Sequence, residues 1–202
     1  MIQFDPGSQG NQGPFLSWHA RGTDDGEIPA KSFSLRDENG RSAFAGFKRG
    51  IAMDLDTLRT GWSHTAGVSG IAPEWAWNDS IEAFEPKPAD GREWKRGFEM
   101  TVAINKDQTA IWQQASAGSF QAFTDLMSDI IDQQGEYPAL TPIVVITGTE
   151  PIQFTKGSTA KPKLEIKKWV DKPDILKNGS GSSDDSPGAP EAPPVEDDIE
   201  EF

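Results

Sequence analysis

Residues 92–104 have the sequence REWKRGFEMTVAI, in which apolar and polar side chains alternate over an unusual length. Successive side chains of a β-strand point to opposite sides, so the apolar members of this stretch would share one face. Those members are Trp94, Phe98, Met100, Val102 and Ile104. The pattern predicts a long strand that packs one face on a core.

Further strands are predicted on both sides of this stretch. Residues 31–37 and 41–49 flank Glu38-Asn39-Gly40, and Asn-Gly between two such runs is the strongest short-range signal for a hairpin. Other strand-like segments follow along the chain: an alternating run at 51–56, a short strand through Trp112 after a turn at 105–107, a β-branched run at 142–146 and an alternating run at 161–170. These patterns predict about seven or eight strands.

One segment is predicted to be helical. After Ser116 or Ser119 as N-cap, apolar residues recur at three- and four-residue spacing, and Gly135 fits the position after the last turn. The apolar residues are Phe120, Phe123, Met127, Ile130 and Ile131. One amphipathic helix among many strands predicts a mainly β fold, for which an OB-fold-like Greek-key barrel with extra hairpins is one solution.

The charge of the chain is segregated along its length. The protein has 202 residues and a formal net charge of −13, but residues 178–202 contain eight acids and no Lys or Arg. The remaining 24 acids and 19 bases nearly balance, and residues 156–177 hold seven lysines. Because residues 178–202 are Gly, Ser, Pro and acid, they predict a disordered tail. The sequence therefore divides into a β-barrel domain, 1–177, and an acidic tail, 178–202.

The tip of this tail has its own pattern. Apolar Ile199 and the terminal Phe202 lie among four acids, namely Asp197, Asp198, Glu200 and Glu201. Apolar side chains inside an acidic cluster indicate a short recognition peptide for a protein partner. The alternative is a tail that only adds solubility.

Composition excludes several classes of function. There is no cysteine, and His19 and His64 are the only histidines, so disulfides, thiolate chemistry and multi-His metal centres are excluded. No apolar run of 18 residues and no secretory signal is present, so we expect a cytoplasmic protein without membrane contact. No nucleotide-binding or nucleophile motif occurs, and we expect neither a cofactor nor an enzymatic activity.

Two weaker catalytic alternatives stay open at this point. Asp54 and Asp56 would share a strand face, and an Asp-x-Asp pair can hold Mg²⁺ for phosphoryl chemistry. His64 could act as a general base, although the sequence shows no partner for it.

The segment 161–170 combines a tryptophan with lysines. Alternation predicts Leu164, Ile166 and Val170 on one face, and the other face then carries Lys163, Glu165, Lys167 and Trp169. An exposed tryptophan in line with ammonium groups suits single-stranded nucleic acid, which needs a surface for base stacking and cations for phosphates. Alternatively, Trp169 packs under a loop and the lysines protect an edge strand.

Other candidate nucleic-acid contacts follow the same chemistry. Seven tryptophans are more than a domain of this size needs for its core, and tryptophan is rarely buried completely. Trp75 and Trp77 would share a face if their stretch is extended, whereas Trp62 lies in a loop-like context. The remaining candidates are the pair Lys48 and Arg49 between two glycines, and Trp94 with its outward-pointing neighbour Lys95.

A β-rich body with aromatic and basic strands, a Gly/Ser/Pro spacer and the tip VEDDIEEF, 195–202, resembles the single-stranded-DNA-binding proteins of bacteria and their phages. The segment PKLEIKKWVDKP, 162–173, is similar to the last body strand of phage members. The tip lacks the proline that precedes the final Phe in bacterial members, which favours the phage type and hence the host cytoplasm.

The resemblance implies sequence-tolerant binding of single-stranded DNA in replication or recombination. It also implies that the tail recruits replication proteins through Ile199 and Phe202. The eight acids of the same tail allow it to fold back on the basic groove and compete with DNA. Homo-oligomerisation is compatible with this assignment. Two rival functions remain: a structural or chaperone-like interaction protein that binds no nucleic acid, and a Mg²⁺-dependent nuclease that uses Asp54 and Asp56.

Overall fold

A computed structural model describes residues 13–66, 72–155 and 157–177, and it shows a mainly β protein with a curled, half-barrel sheet. In these residues the strands are β1 (Phe15–His19), β2 (Ser32–Asp37), β3 (Gly40–Phe44), β4 (Ile51–Met53), β5 (Arg59–His64), β6 (Glu74–Trp77), β7 (Lys95–Asn105), β8 (Gln108–Gln114), β9 (Thr141–Phe154) and β10 (Gly157–Val170). The helices are α1 (Ala117–Gln134) and α2 (Asp174–Lys177), and Gly46–Lys48 and Leu55–Thr57 form 3₁₀ turns.

These ten strands form one sheet centred on β7. Its main order is β10-β9-β4-β7-β8-β1-β2-β3, and β5 and β6 extend it beside the first half of β7. All of the pairings are antiparallel except that of β1 with β8. The strands β4 and β5 therefore share one edge of β7, and β6 pairs only with β5 in the described part of the chain.

The long strand predicted at 92–104 is confirmed as β7, although it begins at Lys95. Its residues Phe98, Met100, Val102 and Ile104 are buried and belong to the main core. Helix α1 covers this face, and the ring of Phe123 stacks on Phe98 with centroids 3.9 Å apart. We call the side of the sheet that carries this core the inner face and the opposite side the outer face.

The predicted hairpin is also confirmed. In the structure β2 and β3 flank the two-residue turn Glu38-Asn39, and the Asp37 carboxylate accepts a hydrogen bond of 2.8 Å from the N–H of Asn39. Gly40 follows with a φ of 120°, a backbone conformation that glycine adopts without steric cost. The second strand ends at Phe44, earlier than predicted, because the chain turns into the 3₁₀ segment that buries Phe47.

Helix α1 begins where Ser116 predicts. The Ser116 hydroxyl accepts a hydrogen bond from the N–H of Ser119, which satisfies one of the free donors of the first turn. The predicted apolar face is partly wrong: Ile131 is 66% exposed, whereas Ala122 and Leu126 are buried. The helix therefore packs on the sheet with the side that carries Ala122 and Leu126, and not with the side that carries Ile131. Gly135 ends the helix in ordinary right-handed conformation, with a φ of −62°.

Two strand assignments from sequence are wrong. The strand at 51 ends at Met53, so Asp54 and Asp56 do not share a strand face: Asp54 is buried, and Asp56 is exposed in the 3₁₀ segment. Trp62 lies in β5 rather than in a loop. It pairs with Ala76 and Arg96, and because both are distant in sequence, the residues around Trp62 did not indicate a strand.

The face assignment of 161–170 is wrong as well. The pairing of β10 with β9 is irregular between Ile166 and Lys168, which is the signature of a β-bulge. A bulge moves every following side chain to the other side of the strand. Trp169 therefore joins Ile166 against the main core, and Val170 packs in a second cluster with Ile143 and Leu176.

The tail 178–202 and its tip lie outside the described residues. In the residues that the structure describes, no helix has the length and apolar character needed to cross a membrane.

Candidate nucleic-acid interface

The outer face of β5, β6 and β7 carries a pair of tryptophans. The registers place Trp77 beside Gly61 and Gly61 beside Gly97, and Trp75 lies two residues before Trp77. Side chains two residues apart on a strand share a face, so both indoles lie on the side away from the core. The sequence predicted that Trp75 and Trp77 share a face if their stretch is extended. The stretch is extended as β6, and the prediction is confirmed.

The two indole rings are stacked on one another. Their centroids are 4.4 Å apart and their planes differ by 5°. Gly97 makes room for them, because a Cβ at that position would come within 2.7 Å of the Trp75 ring. Both tryptophans are half-buried, and the buried Nε1 donor of Trp75 has no hydrogen-bond partner among the described residues. Each ring therefore covers one face of the other, and the second face of each ring is turned away from the pair.

Arg59 adds a cation to this pair. Its guanidinium carbon lies 4.5 Å from the ring centroid of Trp77, a distance at which a cation is attracted by the face of an aromatic ring. The same guanidinium pairs with Glu99, whose other carboxylate oxygen accepts a hydrogen bond of 2.6 Å from Gln113. We call Trp75, Trp77 and Arg59 the tryptophan platform.

A second aromatic and cationic cluster lies on the opposite face of the same strands. The Nε1 of Trp62 donates to the carbonyl oxygen of Glu85 at 2.9 Å, and its ring meets Phe84 edge to face with centroids 5.8 Å apart. The Arg96 guanidinium lies 4.9 Å from the Phe84 centroid and 5.5 Å from that of Trp62. Arg96 is exposed, and no described carboxylate pairs with it.

Trp94 is buried and held by contacts with Asp90 and Arg92. It is 7% exposed, its Nε1 donates to Asp90 at 2.9 Å, and the Arg92 guanidinium lies 4.8 Å above its ring. Hydrogen bonds from Arg92 and Trp94 hold the pKa of Asp90 well below its usual range. Stacking of a base on Trp94 would require this network to open. Its neighbour Lys95 is exposed as predicted and lies 3.6 Å from Glu93.

The structure brings together cations from two distant segments. Lys167, at the β10 bulge, donates a hydrogen bond of 3.4 Å to the carbonyl oxygen of Arg49, beside Lys48. All three side chains are exposed, and none pairs with a described carboxylate. We call Lys48, Arg49 and Lys167 the basic corner. Phe47, between these cations and the core, is buried.

Most other lysines of the basic segment are neutralised. Lys163 lies 2.8 Å from Glu165, and this hydrogen bond raises the pKa of Lys163 and lowers that of Glu165. Lys161 pairs with Asp125 and Glu150. The described lysines of this segment therefore do not form a single basic strip, because Glu165 of the same strand and acids of α1 and β9 pair with them.

Trp169 lies against the end of helix α1. Its ring stacks on Tyr137 with centroids 5.4 Å apart and planes within 11°, and its Nε1 donates to the side-chain oxygen of Gln133 at 3.3 Å. One ring face is thus covered by the protein. The bulge also separates Trp169 from the side of the strand on which Lys163 lies.

The alternative catalytic residues have other partners. Lys172 donates to Asp54 at 2.7 Å and to Asp56 at 3.0 Å, so an ammonium group lies between the two carboxylates. The Nδ1 of His64 lies 2.9 Å from the carbonyl oxygen of Glu93. Within residues 13–66, 72–155 and 157–177, no group of three or more His, Asp or Glu side chains could hold a metal ion.

Sequence reasoning missed Arg59 and Phe84. Each joins a cluster only through strand pairing or loop packing with residues 12 to 40 positions away, for which a single sequence carries no signal. Arg96 is in line with Trp94 in the alternating stretch 92–104, so the sequence did indicate a cation at that place. The predicted partner-binding residues 197–202 lie beyond the described residues.

Comparison with protein-family models, with curated proteins and with solved structures finds no match for this chain.

Proposed function

We propose that this protein binds single-stranded DNA without sequence preference and without catalysis. The observation that carries the proposal is the stacked pair of Trp75 and Trp77 on the outer face, with the Arg59 guanidinium over one ring. Every base has a flat π-face, so stacking on such a surface tolerates any sequence, and each stacked base contributes about 1–3 kcal/mol.

Exposed cations on other parts of the body supply the second requirement. Arg96 and the basic corner are exposed and make no ion pair with a described carboxylate, so they are free to contact phosphates. Neutralisation of phosphates releases condensed counterions, which gives affinity that falls steeply with salt. Lys163 and Lys95 are weaker candidates, because each already has an acidic neighbour.

The fold is compatible with this function. A curled, half-barrel sheet with one amphipathic helix between β8 and β9 supports an origin from an OB-fold-like barrel, to which hairpins such as β5–β6 were added. OB-folds bind single strands on exposed sheet surfaces lined with aromatic and basic residues.

The remaining parts of the proposal rest on the sequence resemblance. The acidic tail 178–202 competes with DNA for the cationic surface, and its tip recruits replication or recombination proteins through Ile199 and Phe202. The protein then acts in phage DNA metabolism in the host cytoplasm, as a monomer or as a homo-oligomer.

The main competing function is that of a structural or chaperone-like interaction protein. The same half-buried tryptophans could anchor a protein partner, since tryptophan is enriched among residues that dominate interface energetics. The nuclease alternative is disfavoured, because Lys172 already occupies the space between Asp54 and Asp56.

One titration separates these three functions. Labelled oligo(dT) is added to the protein at low and at moderate salt, with tryptophan fluorescence followed, and the oligonucleotide is then incubated with Mg²⁺ and analysed for cleavage. We expect strong quenching, weaker binding at the higher salt concentration and intact DNA. No binding at either salt concentration would favour the interaction protein, and Mg²⁺-dependent cleavage would favour the nuclease.

A further inference from the structure

Two arginines face each other on the β2–β3 hairpin. Arg36 is directly opposite Arg41 in the register, and both side chains are exposed. Like charges at directly opposite positions of a sheet destabilise it. Neither guanidinium makes an ion pair with a described residue. The charge of Arg41 contributes, after hydrogen bonds from Thr23 and Glu27, to the lowered pKa of Asp25.

These arginines lie on the same face of the sheet as the tryptophan platform. Glu99, on the outer face with Arg59, is opposite Gln113, and Ile111 lies two residues earlier on β8. Ile111 is opposite Phe15, and Phe15 is opposite Arg36. No register irregularity interrupts this chain of pairings, so all of these side chains point to the outer side.

The outer face between the tryptophan platform and the two arginines can accommodate a polyanion. Phe15 and Ile111 are half-buried and apolar, and Gln113 is neutral. Glu99, the acid in this part of the face, is neutralised by Arg59 and bonded to Gln113. From β6 to β2 there are five strand spacings, which is roughly 24 Å across the sheet. A single strand of several nucleotides covers such a distance.

We propose that Arg36 and Arg41 form a phosphate-binding site for the continuation of the single DNA strand whose bases stack on the tryptophan platform. This inference rests on the proposed function and extends it: the strand crosses the outer face from β6 to the β2–β3 hairpin. Neither guanidinium has a described acid as ion-pair partner, so both can donate to phosphate oxygens.

The test compares Arg36→Gln/Arg41→Gln with the full-length wild-type protein in oligo(dT) titrations across a salt series. Loss of two phosphate contacts should weaken binding by on the order of tenfold at low salt and flatten the log–log salt slope by about 1.4. The maximal tryptophan quenching at saturation should stay unchanged, since the platform is intact. The Tm should be unchanged or higher, because a like-charge contact is removed.

Two control variants keep the result interpretable. Arg36→Lys/Arg41→Lys keeps both charges and should retain the wild-type salt slope. Lys31→Gln removes an exposed cation at the other end of β2 and should leave the slope unchanged. An unaltered slope in the Gln variant, or a lost slope in the Lys variant, overturns the arginine site while the proposed function stands. Absence of wild-type binding to oligo(dT) overturns both.

Discussion

The seven tryptophans divide into two groups by their surroundings. Trp18, Trp94 and Trp112 are buried, whereas Trp62, Trp75, Trp77 and Trp169 are half-buried. Tryptophan has a large apolar ring and a single polar donor, so composition alone predicts that some lie at a surface. It does not predict which ones, because their burial depends on partners such as Gly97 and Tyr137, which are distant in sequence.

Two lysines of β10 also differ in their surroundings. Lys163 is bonded to Glu165, whereas Lys167 has, among the described residues, a backbone carbonyl as its partner. We therefore expect Lys167→Ala to flatten the salt dependence of DNA binding by about 0.7 in the log–log slope. Lys163→Ala is the matched control and should change the slope less. Equal slopes for wild-type protein and Lys167→Ala would remove the basic corner from the binding site.

Among the helices and strands, features encoded within a few residues were predicted correctly, whereas features that depend on pairing between distant segments were not. The alternation in β7, the Asn-Gly hairpin and the Ser116 cap are each contained within a few residues, and each is confirmed. The β10 bulge is not visible in sequence, because it arises from a mismatch with the register of β9. That single bulge reversed the predicted side of Trp169.

The bulge gives Trp169 a role in joining β10 to helix α1. Trp169→Ala removes the stacking on Tyr137 and the hydrogen bond to Gln133, and we expect it to lower the free energy of unfolding by about 1–3 kcal/mol. Urea unfolding measures this loss, and Trp169→Phe should lose less because it can still stack. If Trp169→Ala unfolds like the wild type but binds oligo(dT) more weakly, Trp169 contacts bases instead.

At the scale of the whole molecule, charge is segregated between a nearly balanced body and an acidic tail. The proposed competition assigns to the tail carboxylates an effective concentration in the millimolar range, the value typical of short tethers. Deletion of residues 178–202 should therefore tighten DNA binding, most strongly at low salt, where charge competition is least screened. Equilibrium titrations at two salt concentrations measure this effect. Identical affinities at low salt for the truncated and full-length proteins would refute the competition.

The terminal residue should act separately from the charge of the tail. Phe202→Ala leaves all eight carboxylates in place, so we expect DNA affinity to be nearly unchanged. Capture of replication proteins from a host extract should fail with this variant and succeed with the full-length wild type. Undiminished capture of the same proteins by Phe202→Ala would show that recognition does not require this side chain.

The proposed function requires that bases stack on the outer-face pair of Trp75 and Trp77. The most direct measurement is the affinity of Trp75→Leu/Trp77→Leu for labelled oligo(dT) at low salt, with circular dichroism to verify the fold. Leucine keeps apolar contact with Gly97 but removes the flat rings, so binding should weaken by about 1–3 kcal/mol for each base that loses its stacking partner. A folded double variant that binds oligo(dT) as tightly as the wild-type protein would show that bases do not stack on this pair.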